Sequence, residues 1–523
     1  MAREPVVSLL GLIQLEERLI VELDRSRGLP LYLQISRQIR DQIRSGELPP
    51  GTRLPPERRL AAMLGVNRTT VVNAYRELGA EGLVAGHVGR GTTVAGPGGD
   101  GGLGEGRAIP WGQLFTPSAE VMNDPLVRDT MIVSARSDVI SFASGIPSPD
   151  LYPIDAIRGL LDEALHETGQ ALLQYCPTEG YPPLRAALAE WMARESGTFP
   201  VEPERVLVVA GSQQGLYLLA RTLLEPGDLV AVESPTYLGA LQVFRAAGAR
   251  LLPIPVDEDG MRVGILEDLI GRRRPKLIYT LPTFQNPTGA TMSVERRRRL
   301  LALAAHHQVP IIEDDPYGAL RYEGLPVPAL HALDERGTVI YLSTVSKVLF
   351  PGFRIGWVAG PRPVIERLAL MKQVVDLDTN PLAQWAVWAF LDRGLLAKHV
   401  AGLRQRYPQR RDRMLAAIER HCAGALTCSR PAGGFYVWCR LVDGLRGRDL
   451  LPEAARRGVA IAPGGSFHPN GEGEETLRLN FTLPQEDEIE EGVIRLSAAI
   501  AALRAGRSGT GERREASRAA PIV

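Results

Sequence analysis

The chemistry in this chain centres on one lysine. Lys347 stands in the stretch Ser343-Thr344-Val345-Ser346-Lys347-Val348-Leu349-Phe350-Pro351-Gly352-Phe353-Arg354-Ile355-Gly356-Trp357, with hydroxyl residues just before it and Arg354 seven positions after it. A lysine between an apolar strand and an apolar loop loses hydration. That disfavours the ammonium, lowers its pKa and leaves an amine able to attack an aldehyde. Hydroxyls and a guanidinium suit a phosphate dianion, because arginine offers a planar fork of donors. An aldehyde that carries a phosphate is pyridoxal 5′-phosphate (PLP). A buried structural lysine paired with a carboxylate fits the same stretch, so the surrounding elements must decide.

Those elements are short apolar runs that alternate with helical patterns: Val206–Ala210, Leu229–Val232, Lys276–Leu281, Pro310–Glu313, Val339–Ser343 and Ile355–Ala359. Near-continuous apolarity with helices between the runs predicts a mostly parallel sheet covered on both faces. Ligands bind such sheets beyond the carboxyl ends of the strands. After the first run come Gly211, Ser212 and Gln213, where free N–H groups at a helix start form a phosphate cradle, or simply a strand–helix turn. After the second comes Tyr237, a ring that stacks on a flat cofactor or merely packs. After the third comes Asn286 in Asn286-Pro287-Thr288-Gly289, and after the fourth come Asp314, Asp315 and Tyr317. PLP needs an acid that keeps its pyridine nitrogen protonated, so that the ring acts as an electron sink. Each signal is modest; five at successive strand ends, closing on Lys347, leave little room for the structural alternative.

Residues 136–505 resemble the fold-type I, class I/II aminotransferases. The matching motifs include ASGIPSPDLYP, LLQYCPTEGYPPLRAAL, GSQQGL, SPTY, QNPTG, EDDPY, STVSKVLFPGFRIGW, RPAGGFYVW and LRLNF. The resemblance implies PLP held as an aldimine of Lys347, the catalytic residue. It implies a phosphate held by Ser212, Gln213, Thr344 and Arg354, with Tyr237 on the ring. Asn286 and Tyr317 would bond the phenolic oxygen and Asp314 the nitrogen. Gly145 and Arg478 would meet the substrate or effector, Arg478 by gripping a carboxylate. Tyr175 matches the tyrosine that reaches the phosphate of a partner subunit, which implies a homodimer. Thr344 stands where many relatives have Ser, and keeps the hydroxyl. A smaller α+β domain is expected over 391–505, and a polar, disordered tail over 506–523.

The first ninety-five residues are of another kind. Leu31-Tyr32, Ile35, Ile39 and Ile43 recur at helical spacing. A second helix starts over Leu54-Pro55-Pro56-Glu57-Arg58-Arg59-Leu60-Ala61, with its prolines where a first turn tolerates them, and closes at Gly65. Asn67 is placed to cap a third, from Arg68 to about Leu78, with Val71, Ala74, Tyr75 and Leu78 facing inward. Two short strands follow, around a tip at His87–Gly91. That order reads as a winged helix-turn-helix that presents Asn67, Arg68, Thr69 and Thr70 to a major groove. Arg53 and Arg58 suit phosphates, and the tip with His87 and Gly89 suits a minor groove. A small helical protein-binding module with a solvated basic face is the minority reading. Residues 31–94 resemble the DNA-binding domain of the GntR family, through LYLQI, GELPPGTRLPPERRLA, LGVNRTTV, AYRELGAEGL and GRGTTV. Pro56 replaces a common Ser, Asn67 a common Ser or Thr, and Val72 an Arg of some relatives, so base preference is not carried over.

The totals agree with a chain in several parts. At 523 residues, 45% apolar and 23% charged, about three folded domains are expected. Net charge is zero, but residues 27–95 hold ten Arg against five acids, a local +5 balanced by −5 elsewhere. A basic module on an acidic body points mildly to nucleic acid. Cys176, Cys422, Cys428 and Cys439 fit neither a paired zinc pattern nor a dense disulfide framework, which suits a reducing cytoplasm, and no metal is expected. No run is long enough to span a membrane. The expected architecture is multidomain α/β: a winged helix-turn-helix at 27–95, a linker at 96–135 that is glycine-rich to Gly106, and an aminotransferase body at 136–505. Such a fusion resembles the MocR-type regulators, which implies a cytoplasmic dimer that binds operator DNA and senses an amine effector or PLP itself. An active aminotransferase with an accessory DNA-binding head is the alternative.

Overall fold

The computed structural model describes residues 30–87, 91–95, 125–196 and 201–518, with positions 19, 21–23, 115 and 116. It divides into two compact units, residues 1–120 and 121–523.

In the first unit, α1 (Leu31–Arg44), α2 (Glu57–Leu64) and α3 (Arg68–Ala80) are followed by the antiparallel pair β1 (Val84–His87) and β2 (Gly91–Val94). Ile35, Ile39, Leu60, Val71, Ala74 and Leu78 are almost fully buried in one core. Each such aliphatic side chain contributes about 1.5–3 kcal/mol, Ala74 less. Gly65 ends α2 at φ 60°, a left-handed conformation that a glycine adopts without Cβ strain. The Asn67 side chain then accepts a hydrogen bond from the Thr69 N–H at 3.1 Å, so it caps α3 as its sequence position predicts. The tip residues 88–90, with Gly89, lie outside the described residues, and of His87 only the backbone is described. So does the glycine-rich stretch 96–106.

The second unit is built on an eight-stranded sheet in the order β4-β11-β10-β9-β8-β5-β6-β7. Its strands are β4 (Val206–Val209), β5 (Leu229–Ser234), β6 (Arg250–Asp257), β7 (Gly260–Met261), β8 (Leu277–Thr280), β9 (Ile311–Asp314), β10 (Val339–Thr344) and β11 (Gly356–Ala359). All six expected runs are strands. β11 runs antiparallel to both neighbours, β10 and β4. The link from Thr344 to Gly356 is too short for a crossover helix, so the chain must double back. That return carries Lys347 and Arg354. β6 escapes the sequence reading because Pro253 and Pro255 demote it; it sits near the sheet edge, where missing N–H donors are tolerated.

A second, four-stranded antiparallel sheet has the order β12-β13-β16-β15. It comprises β12 (Leu426–Cys428), β13 (Tyr436–Leu441), β15 (Ala462–Pro463) and β16 (Thr476–Asn480), while β14 (Val459–Ala460) pairs with β3 (Ile140–Ser141). The helices Leu395–His421 and Glu486–Arg518 pack against each other beside it. Three expectations need correction. The helix Pro125–Ser134 occupies the last part of the expected linker. Helical backbone continues to Arg518, where a disordered tail was expected. Cys428 and Cys439 lie directly opposite on β12 and β13 and form a disulfide, a pairing set by strand register that Cys spacing alone does not reveal.

Replacing the cap tests the local logic of the head. Asn67→Ala should raise amide exchange in the first turn of α3 about fivefold, the equivalent of ~1 kcal/mol, and Asn67→Ser should restore it. Unchanged exchange in Asn67→Ala would show that the cap contributes nothing.

Candidate cofactor and ligand site

The carboxyl ends of β4, β5, β8, β9 and β10 meet β16 of the smaller sheet around a cavity of about 710 Å³. Lys347, in a 3-10 turn just past β10, donates from Nζ to the Gly145 carbonyl at 2.7 Å. Burial lowers its pKa, the Arg478 and Arg354 charges add to the shift, and Tyr436 and Asp314 oppose it. Asp314, the last residue of β9, is pushed up to about 7, mainly by burial. Its Oδ2 accepts from the Tyr279 hydroxyl at 2.7 Å, while Oδ1 is buried with no partner. Because this folded-state pKa is raised, the neutral acid's stabilising contribution is complete in the acid range and lost as pH rises through about 7. A cationic group against Oδ1 would remove that penalty.

At the far side of the cavity Gly211 (φ +82°) opens the helix Ser212–Leu223. A Cβ on Gly211 would strike the Arg354 guanidinium, and one on Gly356 would lie 2.7 Å from the Ser212 nitrogen. Arg354 itself has φ 55°, which a non-glycine residue adopts at a cost of about 1–2 kcal/mol. It donates from Nη2 to Ala210 O at 3.1 Å. Thr344 Oγ1 accepts from the Ser346 N–H at 3.1 Å, and Ser346 lines the cavity with it. Tyr237 donates to Gln213 Oε1 at 3.1 Å, and burial raises its pKa to about 12.

Arg478 on β16 is 8% exposed. It donates to Asn286 Oδ1 at 2.9 Å and to Ala143 O at 2.6 Å, and lies over the rings of Tyr436 and Phe467. Its Nε has no hydrogen-bond partner, and among the described residues no carboxylate pairs with it. A buried guanidinium without a counter-charge is ready for an anion.

The sequence brought forward Ser212, Gln213, Tyr237, Asn286, Asp314, Tyr317, Thr344, Lys347, Arg354, Arg478 and Gly145, and all line this one cavity. Tyr175 does not; it is 80% exposed on the surface of the single subunit. The reading missed Tyr436 and Tyr279. Tyr436, within the motif RPAGGFYVW, shares a 3.0 Å hydroxyl–hydroxyl bond with Tyr317. It also missed the helix Pro125–Ser134, which adds Val127, Thr130 and Met131 to the wall.

The unpartnered Asp314 Oδ1, the glycine cradle beside Arg354 and the desolvated Lys347 amine fit PLP: a ring nitrogen, a phosphate and an aldehyde. Asp314→Asn should weaken retention of PLP at least tenfold in equilibrium dialysis, since a charged hydrogen bond is worth about 1.5–3 kcal/mol. Equal retention would place the ring nitrogen elsewhere.

On the head, Asn67, Arg68 and Thr69 are exposed at the start of α3, Thr70 is half-buried, and Arg53 and Arg58 are exposed. Arg53 also bridges to Thr93 of β2. Arg68 pairs with Glu57 at 2.9 Å. Any base contact by Arg68 must compete with that pair, a relation that sequence spacing does not announce.

Residues 137–496 match the family described as aminotransferase class I and II, and residues 31–94 match bacterial regulatory proteins of the gntR family. The HTH-type transcriptional regulator YisV of Bacillus subtilis is 35% identical over 90% of this chain and 96% of its own length. The probable rhizopine catabolism regulatory protein MocR of Rhizobium meliloti is 33% identical over 92% of this chain and 96% of its own. Among solved structures, Pyrococcus horikoshii kynurenine aminotransferase, in complex with PMP, is 41% identical. It covers 75% of this chain and 97% of its own, with a TM-score of 0.71. The chain belongs to the MocR-type regulators of the GntR family, with a DNA-binding helix-turn-helix head and a class I and II aminotransferase body whose cofactor is PLP.

Proposed function

We propose that the body is the receptor of this regulator, and that a small amine bearing a carboxylate, bound beside Lys347 and on Arg478, sets the DNA affinity of the head. The observation that carries the reading is Arg478, a buried guanidinium without an acid partner, sharing one cavity with a desolvated lysine. PLP, when bound, supplies an electrophilic aldehyde on an electron-withdrawing ring. Ser212, Gln213, Thr344 and Arg354 hold its phosphate, Tyr237 covers the ring, Asn286 and Tyr317 bond its phenolic oxygen, and Asp314 holds its nitrogen. Lys347 offers its neutral amine and moves protons at Nζ.

Arg478 belongs to the smaller sheet and Asn286 to a loop of the larger one. A carboxylate on Arg478 therefore ties the two sheets together through the ligand. A ligand with different affinity for open and closed arrangements shifts their populations, the physical requirement for a sensor. The head then reads DNA through Arg68, with Arg53 and Arg58 on phosphates. The dimeric reading rests on Tyr175 and on exposed apolar side chains at Leu173, Val374 and Leu377, a set that a second subunit covers.

A second reading, turnover as an aminotransferase, is favoured by Lys347 and Arg478 occurring together. Interconversion of the PLP and pyridoxamine phosphate spectra with an amino acid and a keto acid would support it. PLP acting alone as the sensed ligand would appear as a change in operator affinity on PLP titration without any amine.

Arg478→Ala should raise at least tenfold the concentration of amino acid that half-alters operator binding, and leave simple amines without a carboxylate unaffected. An unchanged amino-acid response would remove Arg478 from the receptor. Arg68→Ala should lower operator affinity about tenfold and random-DNA affinity much less, whereas Arg53→Ala should mainly reduce the salt slope, by about 1. Equal losses on both DNAs for Arg68→Ala would contradict base contact.

A further inference from the structure

The wall of the cavity identifies the class of ligand side chain. Its charged lining residues are Asp314, Lys347, Arg354 and Arg478. Three of them would face the cofactor's nitrogen, aldehyde and phosphate, and Arg478 a carboxylate, so among the described residues of one subunit no further charge lines the cavity for a side chain. The rest of the wall includes Val127, Met131, Ile146, Leu238 and Phe467, with neutral polar groups such as Thr130 and Gln242 between them. Met131 and Ile146 are 67% and 38% exposed although they line a cavity, so apolar surface is left for a ligand to cover.

Val127 and Met131 come from the helix Pro125–Ser134, four positions apart and so on one face. The charged residues of that helix, Arg128 and Asp129, are exposed and do not line the cavity. An acidic or basic side chain entering this wall would lose hydration and gain no counter-charge from the described residues of this subunit, whereas each buried methylene gains. The helix is also the first described helix of the body after the stretch that joins it to the head. Contact with the ligand side chain is thus made on the element nearest in sequence to the connector.

We infer that the ligand is an α-amino acid with an uncharged, apolar side chain, aliphatic or aromatic, read by Val127, Met131, Leu238 and Phe467. This rests on the receptor reading above, and its test separates the two. The full-length, PLP-loaded protein is titrated with L-leucine, L-phenylalanine, L-methionine, L-glutamate and L-lysine. The visible absorbance of the cofactor and the protein's binding to fluorescent operator DNA are followed in parallel. The three apolar amino acids should half-saturate the absorbance change at concentrations at least tenfold below glutamate and lysine, in the same order as their effect on DNA. Glutamate or lysine acting at equal or lower concentration overturns the apolar class and leaves the receptor reading standing. A spectrum that no amino acid shifts overturns both. In Met131→Lys the preference for glutamate over leucine should rise at least tenfold; an unchanged ratio overturns the assignment of this wall.

Discussion

Desolvation of charge without neutralisation is the constraint on which this site depends. Asp314 Oδ1, the Lys347 amine and the Arg478 guanidinium line one cavity, and among the described residues none has a direct ion-pair partner. Burial moves the first toward its neutral acid and the second toward its neutral amine. The fold bears this cost because hydrogen bonds offset part of it, from Tyr279 to Asp314 and from Lys347 to Gly145. A cofactor and, on the proposed reading, an anionic ligand would supply the missing partners. Elsewhere buried ions are either paired, as Arg297 is with Glu313 at 3.7 Å, or met by several neutral donors, as Glu233 is by Thr280, Leu281 and Gln285.

The same geometry explains how an aminotransferase-like body serves a regulator. Arg478 and Tyr436 come from the smaller sheet, while Lys347, Asp314 and Tyr317 stand at or just beyond strand ends of the larger one. A ligand touching both stabilises one mutual arrangement over another. The head has its own poised pair. Arg68 rests on Glu57, so DNA must exceed that attraction, which is modest because both side chains are partly exposed.

Much of the site is legible in the sequence alone. Lys347, Asp314, Asn286 and Ser212 sit at the ends of apolar runs, where a parallel sheet must place its ligand residues, and short motifs tie each to a turn. Asn67 was legible as a cap because capping is local. What escaped depends on contacts between distant segments. Tyr436 reaches Tyr317 across 119 positions, and Tyr279 meets Asp314 only because β8 and β9 are neighbours. The reversal of β11 follows from a loop length rather than from its composition, and the Cys428–Cys439 pairing follows from strand register. Pro253 and Pro255 hid β6 because the sequence does not say which strand lies near an edge.

The most direct test of the central claim is operator affinity of the full-length, PLP-loaded protein with and without a saturating amino acid, measured by fluorescence anisotropy on a duplex selected from random sequence. Wild type and Lys347→Ala are compared side by side. The account predicts that affinity changes at least threefold in wild type and does not change in Lys347→Ala. Equal affinity in all four measurements, or the same shift in both proteins, would contradict a receptor built around Lys347.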